Sequence, residues 1–563
     1  MTARIRTELF TGQSVRAFGR LFVVSTLILI VSLGFSFRVS GLGAEGLSED
    51  ELNKLLAVSD YRIKGLTSIN GEHPFLMKAL LTASVAATEW WNERGVAHSY
   101  PALRASEETA LRLPVALFGA FTALLLFLVV SELFGPATGL IAAALWALDP
   151  AAIGFNRIAK EDSFLLFFFL LANVFWLRGQ RVAERGGARP ETYYWATAVS
   201  FGAMLASKYL PHLIGISASY YHIFQGIPAT RWRMGKRKWL IFFAVMGAAF
   251  LVFNPTILLP GTWREMRIFA GEHRIGHDGY EFMGQLYRNQ LTLWLKGLPW
   301  YFYYAFMAFK LPLTTGLAFL VGLPLLFMKR LGDGRYFVLF WLFFWFFPFT
   351  LLGGKFTRYF TLALPVVLIT AAIGINAAGR WLAQTMRRAA AGSETRRGYF
   401  QAGVALCFIA CSAYASAGAM PHYRLYTNAL GGGPERAGSY FPHDEFYDAS
   451  MREAAHYIAA SARRGAGVAS EAPILFTYYA QRAGRHDLVS VSLSDRAALQ
   501  RLSAGDIVIV ARGRRYFSND ALVTKLKTVS EPGGRLSLGV VPSLLIYTLD
   551  ENSLQSIAGV INR

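Results

Sequence analysis

The sequence predicts a mainly α-helical polytopic membrane protein with a soluble α/β domain at its C-terminal end. Hydrophobic residues make up 54% of the chain and charged residues only 16%, whereas a soluble protein of this size has about 25% charged residues. The apolar residues also occur in blocks of about twenty, the length a helix needs to cross a bilayer. Basic residues concentrate in alternate connectors, as the positive-inside rule expects. This placement explains the net charge of +20 and argues against nucleic-acid binding.

The apolar blocks predict about eleven crossings within one transmembrane module, residues 21–419. We expect the crossings at about 21–39, 113–132, 137–149, 163–177, 192–207, 211–228, 239–258, 299–328, 336–352, 359–379 and 399–419. The stretch 299–328 is too long for one simple crossing. A re-entrant or interfacial segment therefore remains open there.

Orientation follows from the arginines. Residues 1–20 contain four of them, which predicts a cytoplasmic N-terminus. We expect a retained anchor rather than a cleaved signal peptide, because the basic region is long and ten more spans follow. Eleven crossings then place the segment 420–563 outside the cytoplasm.

The composition becomes that of a soluble domain from about residue 420. The pattern predicts a helix over 448–464, strands over 473–478 and 506–511, and one or two more strands over 536–549. Helical stretches separate these strands, which is typical of an α/β domain.

Candidate catalytic residues fall in the predicted outer loop 41–112. Three consecutive carboxylates, Glu49 to Glu51, follow the first span, whereas the spans themselves contain almost no Asp or Glu. Ion-coupled transporters keep acidic residues near the bilayer midplane, where they are costly and functional. Acids at the outer interface instead favour chemistry at the boundary between lipid and water.

Two motifs give a more specific resemblance. The acidic pair Asp50-Glu51 is followed by His73-Pro-Phe-Leu-Met-Lys78, and this resembles the protein O-mannosyltransferase family, where an Asp-Glu pair precedes His-Pro-Pro-Leu-Gly-Lys. The chain departs from that pattern at the third and fifth positions of the stretch. The second outer loop, 156–163, matches the family's Arg that lies five positions before an Asp at the start of a span.

The resemblance covers about residues 20–380. It extends to lipid A aminoarabinose transferases and other bacterial relatives, through 276–280, 309–312 and 354–359, and it implies the GT-C glycosyltransferase fold in a bacterial inner (plasma) membrane. The C-terminal domain does not resemble the β-trefoil insert of the eukaryotic mannosyltransferases. A protein acceptor is therefore not implied, and a lipid or glycan acceptor is slightly favoured.

The resemblance implies inverting transfer of a sugar, mannose-like or other, from a polyprenyl-phosphate donor to an acceptor hydroxyl. Such a transfer needs a base for the acceptor proton and cations for the departing phosphate. Asp50 matches the family's Asp and is the predicted base, with a proton affinity raised by the neighbouring carboxylate. Glu51 is expected to orient the acceptor or to hold the partners of Asp50.

The predicted donor-binding residues lie at outer ends of spans or in outer loops. They are His73, Lys78, Arg157, Asp162, His277, Lys355 and Arg358. Arginine can bind two phosphate oxygens at once, so Arg157 is predicted to act with Lys355 or Arg358. Asp162 is expected to pair with Arg157, and His73 and Lys78 either contact the phosphate or shape the loop.

The sequence points to no particular cofactor and leaves a requirement for a divalent cation open. Two segments have suitable ligands: His277-Asp278, which faces either a metal or the donor, and 443–445 (His-Asp-Glu). For 443–445 we expect packing against the catalytic face rather than metal binding.

Other interpretations remain open at this stage. The acidic cluster is also explained by a solvated helix N-terminus, where the helix dipole favours acids. The basic residues are also explained as side chains that extend to the membrane interface without binding a phosphate. From a different class, a flippase for lipid-linked sugars or a non-catalytic lipid-binding protein would share the same spans. It would not need clustered carboxylates in a loop.

Overall fold

The computed structural model describes residues 13–226, 234–271, 278–389 and 394–561. Up to residue 419 these residues are mainly helical, and a five-stranded sheet follows. The predicted fold class is therefore confirmed.

The first part of the chain contains seventeen α-helices and one short hairpin. They are α1 (Gln13–Val39), α2 (Glu49–Lys64), α3 (Phe75–Glu93), α4 (Gly95–Ser99), α5 (Glu107–Phe134), α6 (Pro136–Leu148), α7 (Pro150–Phe155), α8 (Asp162–Glu184), α9 (Glu191–Leu205), α10 (His212–Gly226), α11 (Lys236–Phe253), α12 (Pro260–Gly271), β1 (Tyr280–Phe282), β2 (Gln285–Tyr287), α13 (Phe302–Lys310), α14 (Leu313–Leu325), α15 (Gly334–Leu351), α16 (Leu364–Ala389) and α17 (Glu394–Ala419).

Six helical segments in the described part of the chain are long and apolar enough to cross a membrane. They belong to α1, α5, α8, α15, α16 and α17. The other predicted crossings coincide with helices that do not meet both conditions of length and composition: α6, α9, α10, α11 and the pair α13–α14. The long stretch 299–328 contains that pair, interrupted before Pro312, because the residue preceding a proline is driven out of the helical conformation.

The predicted outer loop 41–112 is largely helical, which corrects its description as a loop. It contains α2, α3 and α4. Helix α2 begins at a capping box in which Ser48 and Glu51 bond each other's backbone N–H. Its acids therefore lie in a defined first turn instead of a flexible loop.

The transmembrane helices pack closely around α16, much of which is buried. Gly322 of α14 and Gly374 of α16 allow the closest approach. A Cβ at Gly322 would lie 1.9 Å from the carbonyl oxygen of Thr370. Any larger residue at this position would force the two helices apart.

The C-terminal domain contains an α/β sheet of mixed direction. Its elements are α18 (Pro442–Phe446), α19 (Met451–Ser461), β3 (Gly467–Ser470), α20 (Pro473–Arg482), β4 (Val489–Ser492), α21 (Arg496–Leu499), β5 (Ile507–Ala511), α22 (Asp520–Val529), β6 (Gly534–Leu538), β7 (Val541–Thr548) and α23 (Glu551–Ile561). The strand order is β4-β3-β5-β7-β6, with β3 parallel to β4 and β5 and with β7 antiparallel to β5 and β6.

One element of this domain was predicted wrongly. Residues 473–478 were expected to form a strand, but they begin helix α20. Pro473 occupies the first helical position, where its missing N–H costs nothing. Leu475, Phe476 and Tyr479 then fall on one buried face, and this 3.6-residue period outweighs the β-propensity of the segment.

Ion pairs join the C-terminal domain to the segment after α1 and to the start of α5. Glu45, just after α1, pairs with His422 and Arg424, and Arg452 of α19 pairs with Glu108 of α5 at 3.0 Å. The segment 421–449 also contacts the start of α2, where the Tyr447 hydroxyl bonds Asp50 and Asp448 accepts the backbone N–H of Glu49.

Orientation in the membrane is testable by cysteine labelling. In a background in which the native Cys407 and Cys411 are replaced by alanine, a cysteine at the exposed Glu531 position should react with an impermeant maleimide in intact cells. A cysteine at the exposed Arg330 position should react only after permeabilisation, because the connector with Lys329 and Arg330 is predicted to be cytoplasmic. Labelling of the Arg330 position in intact cells would overturn the predicted topology.

Candidate active site

The first turn of α2 presents Glu51 to the protein interior. Its carboxylate accepts two hydrogen bonds from the Arg112 guanidinium, at 2.8 and 2.7 Å. It also accepts the backbone N–H of Ala159 at 2.9 Å and that of Ser48 at 3.0 Å. Because both oxygens are occupied and the side chain is buried, Glu51 holds α2, α5 and the loop 156–161 together.

The adjacent Asp50 faces the opposite way. Its side chain is 41% exposed, its Oδ2 accepts a hydrogen bond of 2.7 Å from the Tyr447 hydroxyl, and the same oxygen pairs with the Lys160 ammonium. Asp50 is therefore an accessible carboxylate shared by three parts of the chain: α2, the loop before α8 and the C-terminal domain.

The cations around Asp50 control its ionisation. Burial by itself would raise the pKa of Asp50, but the positive charges of Lys160 and Arg358 hold that pKa well below its usual range, and Lys54 acts in the same direction. The expectation of a raised proton affinity is thus wrong for the protein without substrate. Glu51, the neighbouring carboxylate that was expected to raise the proton affinity of Asp50, is itself paired with Arg112.

A second buried carboxylate, Glu161, lies beside this group. Its Oε1 is 3.1 Å from the Lys54 ammonium and 3.2 Å from His73 Nδ1. Burial, together with the nearby lysines, lowers the pKa of His73 to about 3 despite the attraction of Glu161. His73 is therefore neutral at physiological pH, and it orients Glu161 and the start of α3 without supplying positive charge.

The Arg157 guanidinium is bound to backbone carbonyl groups. Its guanidinium donates hydrogen bonds to the carbonyl oxygens that end α1, those of Arg38 at 2.8 Å, Ser40 at 2.7 Å and Gly41 at 2.6 Å. It also packs over the Tyr423 ring. A cation at a helix C-terminus satisfies unpaired carbonyls and the helix dipole, which explains the arginine structurally. Its predicted partner Asp162 pairs instead with Lys208, at 2.6 Å.

We therefore expect Arg157→Lys to act on stability rather than on binding. An ammonium cannot reach the three carbonyl groups that the planar fork bonds, and hydrogen bonds of charged groups contribute about 1.5–3 kcal/mol each. The purified variant should inactivate faster on heating, while its folded fraction binds undecaprenyl phosphate with wild-type affinity. A specific loss of affinity at unchanged stability would restore Arg157 to the phosphate site.

Lys355 and Lys78 are also bound to backbone oxygens. Lys355 is fully buried and its ammonium bonds the carbonyls of Leu298, at 3.0 Å, and Leu352. The Lys78 ammonium bonds the carbonyl of Asn70 at 2.7 Å. Lys78 thus shapes the turn before α3, one of the two roles predicted for it, and Lys355 fixes the connector after α15.

Arg358 is the predicted phosphate residue that keeps its charge available. Its nearest carboxylate oxygen is Asp444 Oδ1, 3.9 Å from Nη1, beyond hydrogen-bond distance. The guanidinium lies over the rings of Phe356 and Tyr447. Aromatic faces stabilise a cation without neutralising it.

The two candidate metal segments do not form a metal site in the described residues. No group of three or more His, Cys, Asp or Glu with suitable geometry occurs there. His277 lies outside the described residues, and Asp278 accepts the backbone N–H groups of Phe517 and Ser518. The segment 443–445 packs against the transmembrane module, through the Tyr280–Asp444 and Lys310–Glu445 bonds.

Several residues of the site were missed by sequence analysis. They are Lys54, Lys160, Glu161, Lys208 and Tyr447. For Lys54 a signal existed, since it follows Asp50 by four positions on one helical face. Lys160 and Glu161 lie inside the matched motif between Arg157 and Asp162. Tyr447 is distant in sequence from Asp50, and nothing local pointed to it.

Comparisons with known proteins agree with this fold. Residues 98–259 match the family model described as dolichyl-phosphate-mannose-protein mannosyltransferase. No curated protein matches the sequence significantly.

Two solved structures resemble the whole chain. One is ArnT from Cupriavidus metallidurans in the apo state, with 13% identity, a TM-score of 0.50 and coverage of 94% of this chain and 98% of that one. The other is the Archaeoglobus fulgidus oligosaccharyltransferase tethered to an acceptor peptide, with 12% identity, a TM-score of 0.51 and coverage of 95% and 74%. The predicted GT-C fold of a multi-pass membrane protein is thereby confirmed.

Proposed function

We propose that the chain is an inverting membrane glycosyltransferase that moves a sugar from a polyprenyl-phosphate donor to a hydroxyl of an extracytoplasmic lipid, glycan or protein. The observation that supports this most strongly is the surroundings of Asp50. An accessible carboxylate lies among lysines and an arginine, next to apolar helices that can cross a membrane. A base and an anion site are the two components that this transfer requires.

In the proposed reaction Asp50 removes the proton of the acceptor hydroxyl. The acceptor oxygen forms a bond to the anomeric carbon while the bond from that carbon to the phosphate oxygen breaks. The polyprenyl phosphate leaves with the bonding electrons, and the proton remains on Asp50. One displacement inverts the anomeric configuration. It fits a site in which Asp50 is accessible, with its side chain 41% exposed, whereas Glu51 and Glu161 are buried.

The donor phosphate is assigned to Lys160 and Arg358 in place of Arg157 and Lys355. Both act on Asp50 electrostatically, and neither is bound to the carbonyl oxygens of a helix end or connector. Burial among like charges, despite the attraction of Asp50, lowers the pKa of Lys160 to about 8. An incoming phosphate would relieve this repulsion.

This arrangement couples donor binding to the activation of the base. While Lys160 pairs with Asp50, the carboxylate is a weak base. A phosphate that attracts Lys160 and Arg358 brings negative charge close to Asp50, and like charge raises the pKa of a carboxyl group. Asp50 therefore gains proton affinity when a donor is present, which suppresses its reaction in the absence of donor.

The outer faces of α2 and α3 support access from the lipid. Ile63, Trp90 and Trp91 are exposed there, and amphipathic helices with exposed aromatic and aliphatic residues lie in the membrane interface. A lipid or glycolipid acceptor would reach Asp50 along this surface.

Native mass spectrometry of the purified protein tests the proposal. We expect a co-purified polyprenyl phosphate, with or without a sugar, and binding of added undecaprenyl phosphate. Absence of both, in protein that is folded and gently solubilised, would contradict a polyprenyl-phosphate donor.

A further inference from the structure

We infer that Asp444 of α18 receives one hydroxyl group of the transferred sugar, so that the C-terminal domain contributes a sugar subsite to the donor site. The inference rests on the proposed function and extends it to recognition of the sugar. It is drawn from three observations: a buried carboxylate of which only one oxygen accepts hydrogen bonds, a small cavity beside this residue, and the position of Arg358.

One oxygen of Asp444 is fully engaged and the other is not. Oδ2 accepts hydrogen bonds from the Tyr280 hydroxyl at 2.6 Å and from the Thr357 backbone N–H at 2.8 Å. Oδ1 is buried and accepts no hydrogen bond. The residue as a whole is only 6% exposed. A buried charged oxygen without a partner is costly, and such groups in native proteins call for an explanation such as a ligand or a water.

A cavity lies beside Asp444. It has a volume of about 20 Å³ and is lined by Asp444, Thr357, Arg424 and the rings of Phe155 and Phe306, among others. About 10–15 Å³ is enough for one water molecule. The cavity therefore admits one hydroxyl group but no complete sugar ring.

The cavity is close to the proposed reaction centre. Arg358 lies 3.9 Å from Asp444 Oδ1, and its guanidinium lies over the ring of Tyr447, whose hydroxyl bonds Asp50. In the donor, the anomeric carbon of the sugar is bonded to an oxygen of the phosphate. If that phosphate pairs with Arg358, the sugar therefore lies next to Arg358 as well. One of its hydroxyl groups can then reach Oδ1 while the anomeric carbon faces Asp50.

The segment around Asp444 is held rigidly before any ligand binds. Glu445 pairs with the buried Lys310 and accepts the backbone N–H of Phe441 at 2.9 Å. His443 is buried and packs against Tyr280 and Phe356. A side chain fixed in this way can accept a hydroxyl with little loss of entropy, which is what discrimination between sugars requires.

The test compares two lipids on wild type and Asp444→Asn. The probes are undecaprenyl phosphate, which has no sugar, and the better binder of undecaprenyl-phosphate mannose and undecaprenyl-phosphate glucose. Asparagine keeps the shape and still accepts from Tyr280 and Thr357, but it loses the charge. A hydrogen bond to a charged group corresponds to about a 10- to 100-fold change in affinity. We expect that loss for the sugar-bearing lipid and less than a twofold change for undecaprenyl phosphate.

Each other outcome has a definite meaning. Equal weakening of both lipids would show that Asp444 acts through Arg358 on the phosphate, and no change in either would show that the cavity holds only water; both overturn the inference. Wild-type protein that binds neither lipid overturns the proposed function itself. Asp487→Asn, which changes a surface carboxylate paired with Arg485, is the matched control and should leave both affinities unchanged.

A second measurement does not depend on how the variant folds. On wild-type protein, donors that lack one sugar hydroxyl at a time should show the loss at a single position. A loss spread evenly over all positions, or no loss, would contradict a single hydroxyl subsite.

Discussion

Replacing Asp50 with asparagine is expected to lower turnover by about 10²–10⁴-fold while donor affinity changes little. The two side chains are nearly isosteric, and the amide oxygen can still accept the hydrogen bond from Tyr447. Folding and membrane insertion should therefore survive. The substitution removes the proton acceptor, whose contribution appears mainly in the transition state. The measurement is steady-state transfer from an undecaprenyl-phosphate sugar, together with direct binding of undecaprenyl phosphate.

The neighbouring acids provide the controls. Glu49→Gln should stay close to wild type, since Glu49 lies at the edge of the site and pairs with Arg514. Glu51→Gln should reduce the yield of folded protein because it weakens the buried bond to Arg112, yet the folded molecules should turn over faster than Asp50→Asn. If Glu51→Gln instead gives the largest loss of turnover per folded molecule, Glu51 rather than Asp50 is the base. If all three variants keep full transfer activity, the acids are only a helix start and the base lies elsewhere in the chain. A flippase or lipid-binding protein becomes the better interpretation only if the wild-type protein binds the lipid but transfers no sugar.

The sequence predicts the fold more completely than the site, for a physical reason. Crossing a membrane requires about twenty apolar residues, a property of consecutive residues that one sequence displays. The failure at 473–478 occurred where local patterns are ambiguous, because a short apolar run fits either a strand or a buried helix.

The site depends on which way each side chain points, and this was not visible in the sequence. Arg157 and Lys160 are separated by only two residues in one loop, yet the first bonds the end of α1 and the second faces Asp50. Sequence analysis chose Arg157 as the phosphate residue because it occupies the position of the arginine in the family motif. Tyr447 and Asp444 reach the site only because the C-terminal domain folds back over α2.

Replacing Arg358 with glutamine is expected to lower turnover by about 10²–10³-fold, as removal of one group that stabilises a developing anion commonly does. Affinity for undecaprenyl phosphate should also fall, by about 10- to 100-fold, since a charged hydrogen-bond donor is lost. A third effect follows from Asp50. Its pKa is held low by Lys160 first and by Arg358 second, so loss of Arg358 raises that pKa. A base must be deprotonated to act, and the acid limb of the kcat/KM profile should therefore move to higher pH.

These three readouts separate a phosphate ligand from a structural residue. Arg358→Lys keeps the charge but not the planar fork, so it should restore the acid limb to near its wild-type position while recovering only part of the affinity for undecaprenyl phosphate. Arg157→Lys is the matched control, because Arg157 bonds only carbonyl oxygens at a helix end. This substitution should leave both the affinity and the pH profile of the folded protein unchanged.

If Arg358→Gln lowers thermal stability but changes neither undecaprenyl phosphate affinity nor the acid limb, Arg358 serves packing over Phe356 and Tyr447, and the phosphate site must lie elsewhere. If instead Arg358→Gln and Arg157→Lys weaken undecaprenyl phosphate equally, the anion would be drawn by the overall positive potential of the outer face, and the separate assignment to Lys160 and Arg358 would fail.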